Sequence, residues 1–124
     1  MKHVLIAALI LATASCVTAP IEFCPGYKPA HQLTDRLIES FNANVKLWPA
    51  GTTPKTDSLK AAGWDHSEWS DRRVIICSST EVSMRAFVVH YREDGSKISR
   101  EDHHYVFRRK DDGWAIAGKT RGAL

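Results

Sequence analysis

VSMRAFVVHYREDGSKISREDHHYVFRR, from Val82 to Arg109, is the stretch whose reading decides the fold. Val82 to Arg92 is long and rich in β-formers. Asp94-Gly95, flanked by Glu93 and Ser96, is a hairpin signal, and Lys97 to Arg109 reads as the returning strand. Upstream, Arg73 to Cys77 is a continuous apolar run, which predicts a well-buried strand. Downstream, Asp112-Gly113 turns the chain into a last strand, Trp114 to Thr120. Strands joined in sequence by short turns predict a four-stranded antiparallel meander.

The helices come before the strands. Pro29 or Ala30 can open a long helix, because proline suits a first helical turn. Leu33, Leu37, Phe41 and Val45 recur every fourth residue, with Ile38 beside them, and Asp35, Arg36, Glu39 and Lys46 occupy the other face. Trp48-Pro49 ends that helix. Ala50 to Lys55 is expected to be a loop broken by Gly51 and Pro54. Thr56 or Asp57 then caps a short helix, Ser58 to Ala62, closed by Gly63. Helices followed by a sheet define an α+β domain with a long N-terminal helix and a short helix packed on one face.

The N-terminus has the layout of an export signal. Met1-Lys2-His3 is basic, Val4 to Ala12 is unbroken apolar, and Thr13-Ala14-Ser15 precede Cys16. The apolar run is shorter than the roughly twenty residues a bilayer span requires. Two cleavages compete. Ala12-x-Ala14 suits ordinary signal peptidase and would leave Ser15 first. Cleavage before Cys16 would make that cysteine the lipidated first residue of a bacterial lipoprotein, although Thr13 stands where the usual lipobox has leucine. Cysteine number favours lipidation. The chain has three, Cys16, Cys24 and Cys77, and an odd thiol is a liability in an oxidising compartment. With lipid on Cys16, Cys24 and Cys77 can pair. The alternative leaves Cys77 free as a buried apolar residue in its strand. Val17, rather than an acid, follows Cys16, which in a Gram-negative host resembles outer-membrane sorting.

From Cys16 to Leu124 there are 109 residues, enough for one small domain with one core. The whole chain carries 17 basic and 14 acidic residues, a near balance that argues against nucleic acid as a partner. Arg108-Arg109-Lys110 runs straight into Asp111-Asp112 and reads as a solvated hairpin end.

Ala62-Gly63-Trp64-Asp65-His66-Ser67-Glu68-Trp69 precedes the strands. Tyr91-Arg92-Glu93-Asp94-Gly95, His104-Tyr105-Val106-Phe107-Arg108 and Asp112-Gly113-Trp114-Ala115-Ile116 follow in order. Together these resemble the C-terminal half of nuclear-transport-factor-2-like proteins, the superfamily of SnoaL-type cyclases and ketosteroid isomerase. The resemblance implies a cone, in which a curved sheet wraps around one long and one or two short helices and often encloses a pocket. It divides the chain into a signal peptide over residues 1–15, a tether over 16–28 and the domain over 29–124. The helical half is shorter than is usual in that superfamily, so part of the pocket wall would be missing.

The densest polar cluster is Trp64 to Trp69. Asp65 or His66 could act as a general acid or base between two indoles, with Tyr105 or Tyr91 as donor to a developing enolate oxygen. The structural alternative, which we favour, is a helix-to-strand connection whose tryptophans close the core. By strand parity Phe87, Val89 and Tyr91 share one face, Val88 and His90 the other, and Tyr105 and Phe107 a face of the next strand. If the aromatic faces align, Tyr91 and Tyr105 point inward. Trp64, Trp69 and Tyr91 are then the ligand-contact candidates. His31, His66, His90, His103 and His104 show no pair spaced to share a zinc ion, so no metal and no cofactor are expected. No serine has a Gly-x-Ser-x-Gly setting, and Cys77 sits in an apolar run unsuited to a thiolate.

The sequence therefore predicts an exported envelope protein, periplasmic or lipid-anchored through Cys16 to a membrane surface. Its domain would bind a small apolar ligand or dock a protein partner without catalysis, with a homodimer through the open sheet face as one form of docking. A small isomerase, cyclase or dehydratase using Asp65, His66 and Tyr105 is the alternative, and a structural part of an envelope assembly a third.

Overall fold

The computed structural model describes residues 20–121. The signal segment and Cys16 lie outside the described residues. A short 3-10 turn, Ile21–Phe23, leads into helix α1, Tyr27–Leu47, and helix α2, Pro54–Ala61. Four strands follow, β1 Trp64–Cys77, β2 Glu81–Arg92, β3 Lys97–Lys110 and β4 Gly113–Arg121. They form one antiparallel sheet in the order β1-β2-β3-β4, an open and curved meander that packs on the helices. The fold is α+β, as the order of elements predicts. No helix among the described residues is long and apolar enough to cross a membrane.

The core explains the helical stripe. Ala30, Val45 and Thr34 are fully buried, and Leu33 and Leu37 pack against Val82, Met84, Ala86, Tyr105 and Phe107. Thr34, the polar member, returns its hydroxyl proton to the carbonyl of Ala30 at 3.0 Å. Helix α1 begins at Tyr27, two residues before Pro29. Gly26, which caps it, lies so close to Val82 and Trp114 that a side chain would collide with both.

Three expectations are corrected. Pro54 does not break the chain but opens α2, where Thr53 caps by accepting from the amide of Thr56 at 3.1 Å. The Asp94-Gly95 turn forms as predicted, with Gly95 at φ +85° and Asp94 accepting from the Ser96 amide. The next turn, however, falls on Asp111 and Asp112, with Asp111 in the left-handed region at φ 55° and Gly113 already in β4. The largest correction concerns β1. It starts at Trp64 rather than Arg73, and it is an edge strand rather than a well-buried one: Ile75 and Ile76 are both more than half exposed.

β1 escapes a parity reading because it carries three bulges. Its pairing with β2 slips at Asp65, Ser70 and Ile75, each an extra residue. The side chains meeting the helices or core are Trp64, Ser67, Trp69, Arg72, Val74 and Cys77. Steps of three alternate with steps of two along that series, each step of three crossing a bulge. Bulges increase local twist, and three in one strand account for much of the sheet's curvature. At the far end Cys77 bonds to Cys24, closing a sequence separation of 53 residues and tying the segment before α1 to the edge strand. On the chain-entropy view such a loop is worth about 4 kcal/mol.

Candidate functional site

Sheet parity on the middle strands puts Val88 and His90 of β2 on the concave face with Glu101, His103, Tyr105 and Phe107 of β3. Between this face and α1 lies an open pocket of about 210 Å³. Leu37, Ile38 and Phe41 of α1 form one wall, Trp69 and Val88 another, and Ile116 of β4 a third. The polar lining is His90, His103, Tyr105, Lys55 of α2 and Lys119 of β4. Pockets for drug-sized ligands run to roughly 300–1,000 Å³, so this one suits a smaller molecule.

Glu101 organises the polar end. His90 Nε2 donates to its Oε2 at 2.7 Å, Lys55 Nζ donates to its Oε1 at 2.8 Å, and His103 Nε2 lies 3.4 Å from Oε1. Burial pushes the Glu101 carboxyl up, but hydrogen bonds from His103, His90 and Lys55, with the Lys55 charge, outweigh it and hold the group well below the usual carboxylate range. It is an anion at neutral pH.

A relay fixes His90. Trp64 Nε1 donates to Ser67 Oγ at 2.8 Å, and Ser67 Oγ meets His90 Nδ1. An ionised carboxylate only accepts, so a neutral His90 carries its proton on Nε2 and takes the Ser67 hydroxyl proton at Nδ1. Asn42 of α1 holds Ser67 in place. Its Oδ1 accepts from the Ser67 amide at 2.9 Å, and its Nδ2 donates to the Ser67 carbonyl at 3.0 Å. His90 and Ser67 are each 1 % exposed, so this chain is shielded from water.

His103 is held differently. Its Nε2 faces Glu101, and its ring is 6.4 Å edge-on from Trp69. Its Nδ1 is buried and has no hydrogen-bond partner among the described residues. Such a group is costly unless something meets it. Next along the strand face, the Tyr105 phenol is pushed up to about 12, by burial first and by the Glu101 charge second. An imidazole oriented by a carboxylate can serve as a base, and a phenol beside it as a hydrogen-bond donor.

The residues singled out from the sequence are scattered. Tyr105 and Trp69 line the pocket. Trp64 stands behind it, packing its ring edge on Phe41 and reaching the site through Ser67. Asp65 is a bulge residue whose carboxylate meets His66 Nδ1 at 2.8 Å, and both side chains are more than a third exposed. Tyr91 lies one residue past His90, on the opposite face, where its ring stacks on His66 at 5.2 Å. The aromatic faces of β2 and β3 therefore do not align, and Asp65, His66, Tyr91 and Tyr105 do not share one concavity. Among the described residues, no group of three or more His, Cys, Asp or Glu is arranged to hold a metal ion.

Sequence reading missed Lys55, His90, Glu101, His103 and Lys119. A signal existed for part of this set. Glu101-x-His103-x-Tyr105 alternates along β3, so the three share a face.

A family model described as NTF2-like protein (DUF6841) matches residues 28–123. No curated protein and no solved structure matches the chain.

Proposed function

The chain belongs to this NTF2-like family, and on that premise we propose that its pocket binds one small, largely apolar molecule without transforming it. One observation carries the reading. The walls are apolar side chains of α1, β1, β2 and β4, while the buried polar groups at the inner end are already engaged with one another, except His103 Nδ1. A site of this kind offers contact area and one orienting polar contact. The test is titration with 1-naphthol, followed by Trp69 fluorescence. Saturable quenching at one site, abolished when Val88→Trp fills the pocket, supports binding; no saturable signal from a folded protein refutes it.

The isomerase, cyclase or dehydratase reading survives with its residues moved. His103, oriented by Glu101, would take the proton, and Tyr105 would donate to the oxygen that gains charge. The unpartnered Nδ1 of His103 is the observation in its favour. Turnover lost in His103→Gln while ligand binding persists would establish it.

We further propose that the protein is exported and anchored through Cys16. The signal-like first sixteen residues support this, as does the Cys24–Cys77 bridge, since disulfides persist in oxidising compartments. Intact mass of the protein from the membrane fraction tests it: acyl mass on Cys16 supports the anchor, and a chain starting at Ser15 removes it.

A further inference from the structure

Six large apolar side chains are exposed among the described residues, and four of them flank the disulfide. Ile21 and Phe23 are 39 % and 75 % exposed and come just before Cys24. Ile75 and Ile76 are 51 % and 58 % exposed and come just before Cys77. The two cysteine Cα atoms are 6.2 Å apart, and consecutive Cα atoms about 3.8 Å, so the Cα atoms of Phe23 and Ile76 lie within about 14 Å of each other. None of the four lines the pocket or belongs to the core cluster. The bulge at Ile75 leaves both isoleucines of the edge strand outward. The bridge therefore gathers an apolar face from two segments far apart in sequence.

Chain length limits what can lie over this face. Cys16 stands five residues before Ile21. An extended chain covers at most ~3.6 Å per residue, so residue 16 stays within roughly 18 Å of Ile21 whatever path the tether takes. The other end of α1 is far away: at ~1.5 Å per residue, Leu47 stands about 30 Å from Tyr27. Acyl chains on Cys16 would thus hold the disulfide end of the domain at the bilayer and leave Leu47 remote from it. Charge at this end favours no particular headgroup. Arg108 is paired with Glu81, and Arg109-Lys110 runs into Asp111-Asp112.

Resting on the lipid-anchor reading, we infer that the disulfide end of the domain is a membrane-contact face. Ile21, Phe23, Ile75 and Ile76 enter the boundary between headgroups and acyl chains of the bilayer that holds Cys16. Apolar side chains at such a boundary sit about 5–10 Å deep. The anchor then sets the orientation of the domain as well as its location.

The experiment adds one tryptophan at either end of α1. Mature protein is taken from the membrane fraction, and acyl mass on Cys16 is measured. It is then reconstituted in phosphatidylcholine vesicles with and without bromine on the upper acyl carbons, since bromine quenches an indole that touches it. Wild type supplies the background of the four native tryptophans. Phe23→Trp and Leu47→Trp each change an exposed residue, so neither disturbs the core. Bromine should remove most of the added emission in Phe23→Trp and leave that of Leu47→Trp unchanged. In acylated protein, equal quenching at both ends, or none in Phe23→Trp, overturns the contact face and leaves the anchor standing. A blue-shifted Phe23→Trp emission that ignores bromine would also overturn it, by showing that protein, a partner or a second copy, covers the face. If Cys16 carries no acyl mass, the anchor fails and the inference with it.

Discussion

His90 Nε2 and Glu101 Oε2 stand 2.7 Å apart, joining β2 to β3 on the concave face where His90 is almost fully shielded from water. The same carboxylate takes Lys55 from α2 and faces His103 two residues along its own strand. One anion thus links the short helix to the two central strands and holds three polar residues of the pocket lining, Lys55, His90 and His103.

Glu101→Gln should therefore be destabilising, by about 2 kcal/mol, since it leaves Lys55 and His90 facing a neutral amide. The pH dependence has a fixed sign. The folded-state carboxyl titrates below its unfolded counterpart, so its contribution is complete above the ordinary carboxylate range and is lost as pH falls through and below it. Urea unfolding between about pH 7 and pH 3 should show a steeper loss of stability in the wild type than in Glu101→Gln, with titration beginning near the usual ~4.3. Equal acid slopes would mean that Glu101 is not held as described.

Tyr105 supplies the opposite limb. Its phenol is pushed up to about 12 by burial and by Glu101, above the usual tyrosine value, so the unfolded chain loses that proton first. Stability is retained through neutral pH and falls as pH rises past about 10. Absorbance near the phenolate band should show one late-titrating tyrosine, and Tyr105→Phe should remove it. A late phase that persists in Tyr105→Phe would contradict the assignment.

Gly26→Ala tests the docking of α1. The added methyl carbon would lie 2.7 Å from Trp114 Cη2 and closer still to a Val82 methyl, with no flexible side-chain end to yield. Overpacking of this kind costs about 1–3 kcal/mol. Thermal unfolding should report a lower midpoint, and a midpoint equal to wild type would mean that the tip of α1 can move away from β4.

The Cys24–Cys77 bridge should contribute up to about 4 kcal/mol by the chain-entropy estimate. Urea midpoints with and without reductant measure it, and Cys24→Ser with Cys77→Ser should match the reduced protein. A reduced protein of unchanged midpoint would show that the edge strand holds its place without the bridge.

Asp65→Asn together with His66→Gln should leave 1-naphthol affinity within about twofold, a change under ~0.5 kcal/mol. The pair lies at the bulged start of β1 and stacks on Tyr91, away from the pocket lining. A larger loss would place this cluster back in the site.

The middle of the sheet was legible because its pattern is local. Val82 to Arg92 is rich in β-formers and the Asp94-Gly95 turn announces the return of the chain, whereas the inward face of β2 was not legible, since residues from Ala86 to His90 are all buried. The four-residue stripe of α1 was equally plain, since helical spacing needs no partner to be read. β1 was not legible beyond its apolar end. Its bulges at Asp65, Ser70 and Ile75 break the period of two, and a bulge is defined only by the strand beside it. The same slip leaves Ile75 and Ile76 both exposed in a run that reads as core.

The sequence by itself determined the order of elements, the α+β class, the sheet's two central strands, the pairing available to Cys24 and Cys77, and the family resemblance. The first four follow from periodicity, turn chemistry or cysteine number within the chain, and the resemblance rests on the order of the motifs from Ala62 to Ile116. The site was decided by tertiary structure. Glu101 is unremarkable as a letter in Arg100-Glu101-Asp102, and becomes the centre of the pocket's polar end only when Lys55, His90 and His103 converge on it from α2, β2 and β3. Asp65 and His66 look promising as neighbours in sequence, yet the bulge at Asp65 and the parity of β2 keep them with Tyr91, off the concave face. Strand register and bulge position set which side chains meet, and both are properties of paired strands rather than of any one segment.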